Sequence, residues 1–139
     1  MIYPATEAIQ EAFLAHNLKC VAEEHENESL VIIGMTGQTT SFRVLFISRS
    51  KESDAAMRIY NLVRFTSDKQ EAMIEAANDC NARYRFLRFT VDTNANTVDV
   101  EYDFPLNQED IGAAAFEMLM RAAIIIDKCY PEFMHCLYG

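Results

Sequence analysis

Few of the residues on which small catalytic sites are built occur in this chain. Its 139 residues include 4 glycines, 3 prolines, 3 histidines and 4 cysteines. The glycines (Gly34, Gly37, Gly112, Gly139) are too scattered to cradle a phosphate, and no G-x-S-x-G elbow occurs. No apolar run reaches bilayer length; the longest, Gly112 to Ile126, is interrupted by Glu117 and Arg121. Met1 to Glu7 lack a basic start and an apolar core, so no export signal is expected. Cys20, Cys80, Cys129 and Cys136 follow no secreted-framework spacing, and free thiols in a reducing cytoplasm are the expectation. Positive charge is scarce too: 12 Lys and Arg against 21 Asp and Glu give a net charge of −9. That balance repels phosphate backbones and anionic membrane surfaces, and the densest basic group is only Arg83, Arg85 and Arg88. Neither a nucleic acid nor a membrane is therefore an expected partner.

What is present reads as one domain with a regular order of elements. Pro4 suits the first position of a helix to His16, with Ile9, Ala12, Phe13 and His16 on one face and Asn17 as a left-handed stop. Four strands follow, Lys19 to Glu24, Leu30 to Met35, Thr40 to Ser48 and Ala56 to Phe65, separated by polar turns and by the loop Ser50 to Asp54. Their short connections predict antiparallel neighbours. Thr66 or Ser67 begins a second helix, Ser67 and Gln70 having capping-box spacing, and Met73, Ala76, Ala77, Cys80 and Tyr84 form its stripe. A hairpin comes next, Phe86 to Asp92 and Thr97 to Phe104. Its alternation pairs Val91 with Val98, Phe89 with Val100 and Leu87 with Tyr102 on the core face. The same register sets Arg88 opposite Glu101 on the outer face, a structural charge pair. A third helix is expected from Gln108 to Tyr130, stopped by Pro131. The order is α-β-β-β-β-α-β-β-α, an α+β fold with a mostly antiparallel sheet.

Three stretches carry a resemblance. Phe42 to Ser48 followed by Ile59 to Arg64, then Asn81 to Phe86 with Val100 to Pro105, and finally Cys129 to Met134 resemble the YbjN family of bacterial proteins. The resemblance implies a sensory-transduction regulator with the fold of type III secretion chaperones, which are small acidic dimers that bind extended client segments. It brings no catalytic residue.

The residues themselves favour binding over chemistry. Cys129, His135 and Cys136 could be weighed as zinc ligands, but without a paired C-x2-C spacing no metal is expected, nor any cofactor. Asp99, Glu101 and Asp103 share one strand face and read as its wet side, with Arg43, Arg58, Arg64 and Arg88 as ion-pair partners rather than an anion site. The third helix has a surplus apolar stripe, Phe116, Met120, Ala123 and Ile124, and an apolar tail with Phe133, Met134 and Leu137. More apolar surface than one sheet can cover predicts a homodimer interface or a docking face for a protein client, which could also add a strand to a sheet edge. The reading is a non-catalytic, protein-binding homodimer, chaperone-like or regulatory. The alternative is a small-molecule sensor whose ligand lies between sheet and helix.

Overall fold

A computed structural model describes residues 1–51 and 54–139, so Glu52 and Ser53 of the expected polar loop lie outside the described residues. The elements follow the predicted order. They are α1 (Pro4–Ala15), β1 (Val21–Glu24), β2 (Ser29–Thr36), β3 (Ser41–Ser48), β4 (Ala56–Arg64), α2 (Gln70–Arg83), β5 (Arg88–Asp92), β6 (Thr97–Asp103) and α3 (Ile111–Tyr138). The strands form one antiparallel sheet in the order β1-β2-β3-β4-β6-β5. The β4-to-β5 connection through α2 passes over β6, which takes the place beside β4.

Period-two alternation assigns the faces. Val31, Ile33, Val44, Phe46, Met57, Ile59, Val98 and Val100 are each at most 2% exposed. They pack against Ile9 and Phe13 of α1, Met73 and Cys80 of α2, and Leu119, Ile126 and Phe133 of α3 in one core. The opposite face carries ion pairs: Arg58 meets Asp103 at 2.7 Å, and Arg88 meets Glu101. The Arg88–Glu101 register and the pairings of Phe89 with Val100 and Val91 with Val98 are as predicted. Arg43 and Arg64 make no ion pair with β6 among the described residues. Asp99 serves instead to fix a bulge in β4, where Asn61 takes a left-handed φ of 60° and donates its N–H to the Asp99 carboxylate at 2.8 Å.

Three local expectations need correction. The Ser67–Gln70 capping box does not form: Ser67–Lys69 is a 3-10 turn, and no side-chain cap bond is made at its start or at that of α2. Strand β5 starts at Arg88, because Phe86 is left-handed, so the expected ladder pair of Leu87 and Tyr102 is absent, although Leu87 is still buried. Pro131 does not end α3, which continues to Tyr138. A proline inside a helix leaves the carbonyl four residues back without its N–H. That carbonyl, on Asp127, lies 3.4 Å from the Thr39 hydroxyl, whose one proton goes chiefly to the Asp127 carboxylate.

Asp127 thereby ties the β2–β3 turn to the middle of α3. Its carboxylate accepts from the N–H groups of Gln38 (3.1 Å) and Thr39 (3.0 Å) and from the Thr39 hydroxyl (2.9 Å). These bonds, the Thr39 N–H first, hold the carboxyl below its ordinary value. Gly37 lies so close that a Cβ there would sit 2.7 Å from one Asp127 oxygen. At the other end of α3, a Cβ on Gly112 would meet the Ala8 carbonyl oxygen at 2.8 Å, so its missing side chain is what lets α1 cross so near.

Candidate functional site

The second half of α3 packs on α2, and the seam gathers the reactive groups. Two full turns of α2 carry the small or slender residues Met73, Ala76, Ala77 and Cys80 on its inner face, which lets the two helices approach. Cys80 faces Cys129 and Glu132 of α3, and the donor atoms of the three lie within 4.8 Å of one another. Both thiols are 0% exposed. Cys80 Sγ lies 3.0 Å from Glu132 Oε2, and Arg83 pairs with the same carboxylate while reaching Cys80 Sγ at 3.6 Å. The Cys80 thiol is pushed up, first by its bond to Cys129, then by burial, then by Glu132. Glu132 is held below the usual carboxylate range by the Cys80 thiol and by Arg83.

This chemistry is that of a hydrogen-bonded thiol. Cys80 is a protonated donor to Glu132, whereas Cys129 is held below its ordinary value, first by its bond with Cys80. Arg83 already supplies the positive charge beside the three ligand atoms, which opposes a metal cation there. The cluster is also a different set from the one weighed in the sequence. Cys129 turns toward Cys80, whereas His135 and Cys136 line a groove of ≈ 490 Å³ between α2 and α3.

Beyond Arg83 the chain turns a tight corner. Tyr84 is extended, and Leu87 N–H donates to the Arg85 carbonyl at 2.9 Å around Phe86, whose φ is 76°. A two-residue bond about a positive φ is a γ-turn of the rare, strained hand. The corner is held because Leu87 is in the core while Phe86 stays out, with the Arg121 guanidinium 5.0 Å above its ring.

The chain belongs to the YbjN family. The model of that family, described as "YbjN: Putative bacterial sensory transduction regulator", matches residues 6–134. The match takes in the α2–α3 seam, the corner at residues 84–86 and nearly all of α3. No curated protein and no solved structure matches the chain. No helix among the described residues is long and apolar enough to cross a membrane.

The predicted partner-facing residues fall into different places. Ile124 is 58% exposed, and Met120 and Ala123 are half-buried on the outward side of α3. Phe116 is half-buried as well, but the His16 ring of α1 stacks on it at 3.7 Å. Met134 and Leu137 are half-buried against the core, whereas Phe133 is 0% exposed and packs on Phe89 at 5.5 Å. Phe133 therefore supports the fold and offers no surface.

The two sheet edges also differ. At β5 the Asn81 side chain of α2 accepts from Phe89 N–H at 2.7 Å and donates to Phe89 carbonyl at 2.9 Å, doing what a neighbouring strand would do. Sequence reading missed Asn81, which lies off the apolar stripe of α2. Its only signal was an amide on the turn of helix that faces the sheet edge. The edge at β1 has no comparable side-chain closure among the described residues; it is short and mostly exposed, with Glu23 and Glu24 at its end.

Proposed function

We propose that this protein is a non-catalytic regulatory module of the cytoplasm that acts as a homodimer and receives an extended segment of a protein client. The observation that carries the reading is the outward ridge of α3. Sheet, α1 and α2 cover the other sides of that helix, yet Met120, Ala123 and Ile124 keep apolar surface in contact with water. In a chain of net charge −9, an uncharged ridge is where two copies can meet with least repulsion. The ridge residues, with Phe116 at one end and Met134 and Leu137 at the other, form the dimer face. A stable contact of this kind buries at least ~1,000 Å² in total. The client's strand would add at β1, since Asn81 closes the β5 edge. The family description as a regulator supports the non-catalytic part, whereas the dimer and the extended client rest on the ridge and the open β1 edge.

Sedimentation equilibrium at micromolar concentration tests the dimer. Wild type should run as a dimer, and Met120→Asp as a folded monomer by circular dichroism. A monomeric wild type would sink the proposal. For the client, material purified from native cells should retain a specific protein that is lost when Ala22→Pro interrupts the β1 edge; retention by the variant would place the client elsewhere.

A further inference from the structure

Beside the ridge lies a pocket of ≈ 390 Å³ whose charge runs against that of the whole molecule. Four of the chain's 12 Lys and Arg residues line it: Arg83, Arg85, Arg121 and Lys128. No carboxylate lines it among the described residues. Arg83 and Arg121 are engaged from outside by Glu132 and Glu117. Arg85 and Lys128 have no carboxylate partner among the described residues, and Arg85 is exposed. Arg85 and Lys128 are therefore available to an anion that enters this pocket.

The walls specify the rest of the ligand. Tyr84 and Phe86 contribute ring surface, and Ile124 and Ile125 an aliphatic side. Arg83 lies 5.6 Å and Lys128 6.0 Å from the centre of the Tyr84 ring, so cation and ring are presented together. The strained turn at Phe86 is what holds this ring out at 53% exposure while Leu87 enters the core. Backbone strain held at a pocket wall accords with a binding role. A bare inorganic anion would use the cations and leave the apolar walls wet.

We propose that this corner pocket binds a small organic carboxylate with an aromatic body, its carboxylate on the Arg85 guanidinium and its ring against Tyr84 and Phe86. Arg presents a planar fork that matches a carboxylate in two parallel bonds. The site lies on the shoulder of α3 rather than between sheet and helix, and it needs neither the dimer nor the client.

The experiment is a titration of the full chain, labelled with nitrogen-15, with 3-phenylpropionate, 3-phenylpropionamide and inorganic phosphate at equal ionic strength. 3-Phenylpropionate should bind saturably, with amide shifts gathered at residues 83–87 and 121–128. The uncharged amide and phosphate should each bind about ten-fold more weakly or worse, as expected for loss of one charge-assisted contact or of the ring burial. Arg85→Gln should lower the phenylpropionate affinity about ten-fold with an unchanged Tm, because the side chain is exposed. Equal affinity for acid and amide, shifts elsewhere, or indifference to Arg85→Gln would overturn the assignment. So would an acidic peptide ending in phenylalanine that binds while 3-phenylpropionate does not, since the pocket would then be a protein-docking face.

Discussion

At the scale of single residues, side chains that look alike in the sequence have opposite weight. Arg88 and Phe89 are neighbours in β5, one on the wet face paired with Glu101, the other 3% exposed. An exposed ion pair is screened and entropically costly to hold, so Arg88→Ala should leave the urea midpoint nearly unmoved. Phe89→Ala removes a ring from a packed core and should cost about 3–5 kcal/mol. If the two denaturation curves were ranked the other way, the face assignment would be wrong. The cysteines divide in the same manner. Cys80 and Cys129 are buried, Cys20 and Cys136 half-buried. A thiol reagent should therefore label two groups quickly in the folded protein and four after unfolding. Rapid labelling of Cys80 would show that the seam with Glu132 opens readily.

At the scale of elements, α3 depends on contacts made far away in sequence. The Asp127 carboxyl, lowered from 3.8 by N–H groups of the β2–β3 turn, links hairpin and helix. A carboxyl with a depressed folded value contributes stability above its unfolded value, and the contribution is lost as pH falls through the folded value. Asp127→Asn should therefore be less stable than wild type at neutral pH, with the gap narrowing as pH drops below about 4. A gap independent of pH would mean the charge contributes nothing. The stretch after Pro131 is structural for the same kind of reason: it carries Phe133 into the core beside Phe89. Ending the chain at Tyr130 should abolish cooperative unfolding, whereas ending it at Leu137 should be tolerated. Thermal scans of the two truncations would decide this.

On the whole-molecule scale, three helices pack on one face of the sheet, and the outer side of α3 stays partly exposed. The proposed dimer and the proposed carboxylate pocket meet at Ile124, which borders both. They are separable by charge. Raising salt should weaken binding of 3-phenylpropionate and strengthen the association of two acidic chains through an apolar ridge. Isothermal titration and sedimentation at 0.05 and 0.5 M salt, as approximate working conditions, would show the opposite trends. A ridge whose association weakened with salt would be held by ion pairs instead.

The sequence by itself determined the α+β class, the order of elements, the inner and outer faces of the hairpin and the left-handed stop at Asn17. Each of these is local. Period two and period 3.6 record which side of an element avoids water, and a short turn dictates an antiparallel neighbour. Tertiary structure alone decided that β6 lies between β4 and β5, that α3 runs through Pro131, that Asn81 closes an edge and that Cys80 meets Cys129. The same holds for the corner pocket, where Arg83 and Arg85 meet Arg121 and Lys128 from another helix. These features join groups tens of residues apart. No periodicity encodes such a meeting, because a proline's lost bond or an arginine's missing partner can be repaired only by whatever the fold brings alongside.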